Sequence, residues 1–202
     1  MKVLKGIGKG IKRTVRKALD GRRLLHRRIE YLALHCSDSG FGDEFTIDKW
    51  HKARGWRGCG YHKVFCNGYR HSLSRYCAEV DGLVEPGRDV NMRGAHVRGH
   101  NANSIGWCLI GGRDLQGHSV FDKWLTESQE RSLFAELDRW FDLLPELKVV
   151  GHNHFNPNKG CPMLDMQALI RRYRKHRIVN HLTDLNDWHL DFYELPKIAK
   201  EA

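Results

Sequence analysis

The stretch Gly151-His152-Asn153-His154-Phe155-Asn156-Pro157-Asn158-Lys159-Gly160-Cys161-Pro162 follows the short apolar run Leu147-Lys148-Val149-Val150. That run reads as a buried strand entering a loop. A histidine at a strand exit and a cysteine further along its loop can close on one metal ion. Neutral imidazole and thiolate are donors that zinc takes, and three protein ligands plus one open position make a catalytic site. Lys159, two residues before the cysteine, would place a cation beside a metal-bound carbonyl, where it stabilises a developing oxyanion. In a chain with 13 histidines, a His-x-His near a cysteine also arises by chance, so the third ligand has to come from elsewhere.

The chain has 202 residues, enough for one domain with extensions and a full core. No apolar run approaches the ~18 residues of a membrane-spanning helix. The basic N-terminus lacks the ~7–15-residue apolar core of a secretory signal, which predicts accumulation in the cytoplasm of the producing cell. The net charge of +10 is local: residues 1–28 hold eleven Lys and Arg against one Asp, and the rest of the chain sums to zero. A neutral globular part argues against direct nucleic-acid binding, which needs its own basic stripe. The six cysteines show no dense disulfide framework and no Cys-x-x-Cys pair. Mostly reduced thiols are expected, although Cys66 and Cys77 flank a polar insertion and could pair in an oxidising space.

Within residues 2–19, Leu4, Ile7, Ile11, Val15 and Ala18 fall at helical spacing with Lys and Arg on the other face. This basic amphipathic helix reads as a membrane-surface element, extended by Arg22, Arg23, Arg27 and Arg28; a basic tail or a helix docked on the domain is the plainer reading. Ile29–Cys36 reads as the first core strand, ending at His35 before the loop Ser37-Asp38-Ser39-Gly40. His35 is therefore placed like His152, and two neighbouring strands would bring both rings to one ion. Thr46 is expected to cap a helix over 47–54, with Trp50 facing the core. A strand over 61–66 is followed by Asn67-Gly68, read as a hairpin turn, and Asp81-Gly82, read as another. Residues 67–79 read as an inserted hairpin or loop. His96–Asn103 reads as a surface loop that could wall a cleft, and Ser104–Gly112 as a central strand with a glycine exit. Thr126-Glu127-Ser128-Gln129 is a capping box opening a helix to about Leu144 with Leu133, Leu137, Trp140, Phe141 and Leu144 on one face. Met163–His176 is a second helix, buried through Met166, Leu169, Ile170 and Tyr173.

Six pieces taken together resemble a known family: Leu34-His35-Cys36-Ser37, Gly60-Tyr61-His62, Glu85-Pro86-Gly87-Arg88-Asp89, Gly94-Ala95-His96, Asn103-Ser104-Ile105-Gly106 with Leu109-Ile110-Gly111-Gly112, and Gly151-His152 with Lys159-Gly160-Cys161-Pro162. Over roughly residues 29–175 their order is similar to that of the type 2 N-acetylmuramoyl-L-alanine amidases, a family that includes phage amidase-type lysozymes and peptidoglycan recognition proteins. The phage branch is the nearer match. The resemblance implies an α/β fold: one domain with a central mixed β-sheet flanked by helices and a zinc-containing surface groove. It implies Zn2+ held by His35, His152 and Cys161, catalytic roles for Tyr61 and Lys159, and groove positions for His62 and His96. His154 is the alternative ligand, set second because period-two alternation points it away from His152. The loop from His152 to Lys159 is one residue longer than in the phage relatives, and 67–79 has no counterpart in the family pattern.

The resulting expectation is a zinc amidase that cuts between N-acetylmuramic acid and L-alanine of bacterial peptidoglycan, acting as a monomeric endolysin in phage-mediated host lysis. It would accumulate in the host cytoplasm and reach the periplasmic wall after release by a separate protein. Its organisation would be a basic extension over 1–28 able to meet anionic membrane or lipopolysaccharide, an amidase domain over 29–176, and a C-terminal extension over 177–202 packed on the domain. Some phage amidases of this type also bind a phage RNA polymerase, so a regulatory binding protein on the same fold is the alternative. A membrane-active N-terminal region on an inert scaffold is a third reading.

Overall fold

A computed structural model describes residues 25–181 of the chain. The proposed N-terminal amphipathic helix and nearly all of the proposed C-terminal extension lie outside the described residues. Five strands form one mixed sheet: β1 (Tyr31–Cys36), β2 (Lys63–Tyr69), β3 (Tyr76–Pro86), β4 (Ser104–Leu109) and β5 (Lys148–Gly151), in the order β3-β2-β4-β1-β5. β1 runs parallel to β4 and β5, β2 runs parallel to β4, and only β2 and β3 are antiparallel. Among the described residues three α-helices complete the domain: α1 (Glu44–Ala53), α2 (Glu127–Leu143) and α3 (Met166–His181). Among the described residues no helix is long and apolar enough to cross a membrane.

The period-two alternation of the strands divides the two faces of the sheet. Leu32 and Leu34 of β1, Phe65 of β2, and Ile105, Trp107 and Leu109 of β4 enter the main core, with Leu133, Phe134, Leu137 and Phe141 of α2 and Met166, Leu169, Ile170 and Tyr173 of α3. The opposite face carries a smaller cluster of Ile47, Cys59, Val64, Cys108 and Ile110, against which Trp50 and Tyr61 pack. The long helices therefore seal one face, and α1 with the loops covers part of the other. His35 alternates with Leu34 and so faces the thinly covered side.

Helix α2 is fixed by the capping box. Thr126 Oγ1 accepts from Gln129 N–H, and Gln129 Oε1 accepts from Thr126 N–H. The amide of the buried Gln129 also donates to Phe65 O at 3.0 Å and Ile110 O at 2.9 Å, tying the helix start to β2 and to the exit of β4.

Several local expectations are corrected. Asp43, not Thr46, caps α1: its Oδ1 accepts from Thr46 N–H at 2.8 Å. Asn67-Gly68 is not the hairpin turn but lies inside β2, where the pairing with β3 shifts register. Asp81-Gly82 lies inside β3, an eleven-residue strand, and the segment 67–79 is the outer end of the β2–β3 hairpin. The second long helix begins at Met166 rather than Met163 and runs to His181. Cys66 and Cys77 are unpaired; all six cysteines are free thiols. Arg27, read as part of an open basic patch, turns into the domain. Its Nε donates to Val90 O at 2.7 Å, and its Nη1 to Asn101 O, Ala102 O and Ser104 O at 3.3, 3.1 and 2.9 Å.

Candidate active site

β1 and β5 are neighbours, with Leu34 opposite Gly151. His35 at the end of β1 and His152 just past β5 therefore stand side by side, their ring centroids 4.7 Å apart. The chain then makes a one-turn 3-10 helix over His152–His154 and returns, with Asn153 N–H donating to Cys161 O at 2.9 Å. That return brings Cys161 back to β1, where Cys36 N–H donates to its Sγ at 3.3 Å. Ligand atoms of His35, His152 and Cys161 all lie within 4.8 Å of one another. His154 is outside that group. Its ring sits 6.1 Å from Tyr31 and 5.1 Å from Phe155, and it diverges from His152 through the 3-10 turn rather than through extended alternation.

The donor set suits a zinc-type ion. Burial, then the neighbouring His96 and His152, holds His35 well below the usual imidazole range. Burial and the Lys159 ammonium lower His152. Both rings are thus neutral near pH 7, the form that offers a lone pair to a metal. Contact with the Cys36 sulfur, then burial, pushes the Cys161 thiol up, and the same contact lowers Cys36. A bound cation reverses the balance at Cys161, because a coordinating thiol is deprotonated outright, and the Cys36 N–H already points at the sulfur that would carry the charge. Two imidazoles and one thiolate leave one position open, as catalytic zinc sites require.

Around this cluster stands a layer of buried polar groups. His35 Nδ1 lies 3.8 Å from Cys161 Sγ and its Nε2 3.1 Å from His96 Nδ1. In the tautomer that leaves Nδ1 free for a ligand, Nε2–H donates to His96. His96 is 8% exposed and wedged between two glycines: a Cβ on Gly106 would meet its Cγ at 2.5 Å, and one on Gly94 its Cδ2 at 2.5 Å. His62 Nδ1 accepts from Gly106 N–H at 2.9 Å, so its Nε2 carries the proton and donates to Met92 O at 3.1 Å. The Arg27 guanidinium lies 3.1 Å from that same Nε2. His62 and His96, for which the resemblance implied groove positions, are both buried beside the cluster.

Tyr61 is half-buried, its ring 5.0 Å from that of His35 and 6.4 Å from that of His96. Burial raises its phenol well above its ordinary value, so the hydroxyl stays a proton donor across the neutral range. Lys159 is exposed, its N–H donating to Asn156 O at 2.9 Å, and its charge is felt at His152. The structure brings His35, His152, Cys161, Tyr61, His96 and Lys159 to one side of the sheet.

Two contributors escape sequence reasoning. The Cys36 N–H has no signal in composition or periodicity, because it depends on the loop's return path. Arg27 looks like one more cation in a basic run, and only its depth, with four carbonyls around it, distinguishes it.

The chain is 33% identical to the endolysin of Enterobacteria phage K11 over 141 residues, covering 68% of this chain and 83% of that one. It is 35% identical to the endolysin of Escherichia phage T7 over 149 residues, covering 72% and 86%. Among solved structures, the N-acetylmuramoyl-L-alanine amidase LysC of Clostridium intestinale superposes with a TM-score of 0.57 at 21% identity, over 73% of this chain and 87% of that one. No family model matches the chain.

Proposed function

This chain belongs to the N-acetylmuramoyl-L-alanine amidase family, on its phage endolysin branch, and from that premise we propose that it is a zinc-dependent hydrolase of the amide between N-acetylmuramic acid and L-alanine. Coarsely, it is a peptidoglycan hydrolase. The observation that carries the finer reading is the convergence of His35, His152 and Cys161, three zinc-type donors from β1 and the loop after β5, to within 4.8 Å of one another.

When bound there, zinc supplies Lewis acidity, polarising a carbonyl and lowering the pKa of water to about 7. The rest falls to the chain's own groups. His96 orients His35, and Cys36 N–H orients Cys161. Tyr61, half-buried beside His35, and the exposed Lys159 are the two donors. Either would hydrogen-bond the oxyanion as water adds to the scissile carbonyl, or pass a proton to the leaving L-alanine amine that the added water's own proton then replaces. Cys161 acts as a ligand and not as a nucleophile.

We place this activity at the end of phage infection, with the protein held in the host cytoplasm until a separate protein opens the membrane. Residues 1–28 add affinity for anionic lipid or lipopolysaccharide. Removal of 1–24 should lower vesicle binding and leave hydrolysis of purified wall intact.

The deciding experiment is hydrolysis of purified peptidoglycan with and without chelator, then with zinc restored. New L-alanine amino termini without new reducing sugar ends, abolished by chelator and recovered with zinc, are the expected result. No release from folded, zinc-loaded protein would overturn the reading and turn attention to polymerase binding.

A further inference from the structure

The groove does not stop at the metal ligands. Tyr31 and His35 are four residues apart on β1 and so project from the same face of the sheet, about 13 Å apart along the strand. At the Tyr31 end an aromatic group assembles from the two loops that flank His35. Phe155, three residues past His152, meets Tyr31 edge-on at 5.3 Å and His154 edge-on at 5.1 Å. His100, four residues past His96, lies over Phe155 at 4.6 Å with the planes 37° apart. None of the four is buried: Tyr31, His154 and Phe155 are half-buried and His100 is exposed. Neither the main core nor the second cluster includes any of them.

We infer that Tyr31, His100, His154 and Phe155 form a shelf that binds the glycan strand on the sugar side of the scissile amide. The inference rests on peptidoglycan being the substrate. A pyranose presents an apolar C–H face and a rim of hydroxyls. Aromatic rings bury the face with geometric preference and little lost side-chain freedom. The imidazole of His100 and the Nδ2 of the half-buried Asn156, whose Oδ1 accepts from Asn158 N–H, offer hydrogen bonds to the rim. The peptide stem carries carboxylates, which guanidinium groups recognise. At this end the cation is Lys148, whose Nζ lies 5.7 Å from the Tyr31 ring centroid, so a stem carboxylate is the rival occupant that peptide-free strands distinguish from sugar. Because Phe155 and Asn156 N–H groups both donate to His152 O, the shelf is built on the same turn that presents a metal ligand. A strand seated there fixes its muramic acid relative to the metal.

The test uses the full-length protein stripped of metal and fluorescently labelled, peptide-free glycan strands, so that binding is read without turnover. The wild type should bind the strands. His100→Ala and Phe155→Ala should each bind at least fivefold more weakly, with Phe155→Trp restoring affinity. Zinc affinity, measured alongside, reports whether the His152 turn is intact; His100 lies on a loop without a proposed ligand and keeps the test decisive if Phe155→Ala disturbs that turn. In the zinc-loaded enzyme, the ratio of kcat/KM on long strands to that on a single muramoyl peptide should fall at least fivefold in both alanine variants. Failure of the wild type to bind peptide-free strands, or variants that bind like the wild type, would overturn the shelf. Glycan binding without amide hydrolysis would instead sink the proposed reaction and leave the shelf standing.

Discussion

His35 Nε2 lies 3.1 Å from His96 Nδ1, while the other nitrogen of the His35 ring faces Cys161 Sγ at 3.8 Å. One face of the ring's chemistry is therefore committed to a buried partner, and the other is left for a ligand. Partners of this kind set the tautomer and orientation of ligating histidines, and their loss typically costs about 10–100-fold in metal affinity. His96→Ala should weaken zinc binding by about that factor in a competition with a chromophoric chelator, while the far-ultraviolet dichroism is retained. An unchanged zinc affinity would remove His96 from the supporting role.

Lys159 is the exposed cation whose charge depresses His152. Lys159→Met should keep stoichiometric zinc and lower kcat by about 10²–10³-fold, the range for loss of one oxyanion donor. Zinc content by atomic absorption and turnover on purified wall separate the two effects. A variant with full activity would leave Tyr61 as the only proposed donor.

Acid should destabilise the fold through histidines outside the metal cluster. Burial, with Arg27 and Arg88 nearby, pushes His62 down to about 4, and burial pushes His51 down to about 4. Each accepts a backbone N–H through Nδ1, from Gly106 and Gly60 respectively, so protonation there would break a bond. The unfolded chain takes up these protons near pH 6.5 and the folded one only near pH 4. The unfolded state thus holds more protons in that window, and stability rises with pH across it. The contribution is complete above pH 6.5 and lost by about pH 4; for His62 alone it is on the order of 3 kcal/mol. Urea midpoints at pH 7 and pH 4.5 should show the drop, and His62→Asn should be less stable at pH 7 but lose less on acidification.

Gln129 holds three bonds at once: with the Thr126 N–H and with the carbonyls of Phe65 and Ile110. Gln129→Leu would leave Thr126 N–H and Ile110 O without this partner, at about 1–3 kcal/mol for each unsatisfied one, while Phe65 O keeps the N–H of Ile110. A urea midpoint close to wild type would show that the carbonyls find other donors.

Legibility in the sequence followed how local the cause was. The apolar runs of β1 and β4 and the faces of α2 and α3 were readable because burial imposes period on consecutive residues. The capping box was readable because its two partners are three residues apart. Asn67-Gly68 and Asp81-Gly82 misled because their turn chemistry serves a different purpose. Asn67 bonds Gly40 O through Nδ2 and receives Tyr69 N–H, shaping a register shift within β2. Gly82, at φ +82°, sits where a Cβ would meet Ser128 O at 2.6 Å, so it admits the start of α2 against the strand. Asp81 beside it accepts from Thr126 Oγ1 at 2.6 Å. The demands on Asp81 and Gly82 come from residues 45 and 46 positions away and the demand of Gly40 on Asn67 from 27, so they leave no local period. The His35–His152 pairing was anticipated from two strand exits. The inward turn of Arg27 and the Cys36 contact were not, because both are long-range.

The slot that holds His96 has an evolutionary consequence. Besides the backbone bonds of Gly106 to His62, Gly94 and Gly106 leave beside the His96 ring the space of a missing Cβ. Gly106→Ala alone should cost about 1–3 kcal/mol by overpacking, and should also displace the partner of His35. The same substitution beside a smaller residue at position 96 should cost less than the sum of the two changes, as coupled neighbours do. These three positions therefore form an epistatic unit. A lineage can leave this arrangement only by changing the ring and its flanks together, so drift at either glycine is closed while the histidine stays.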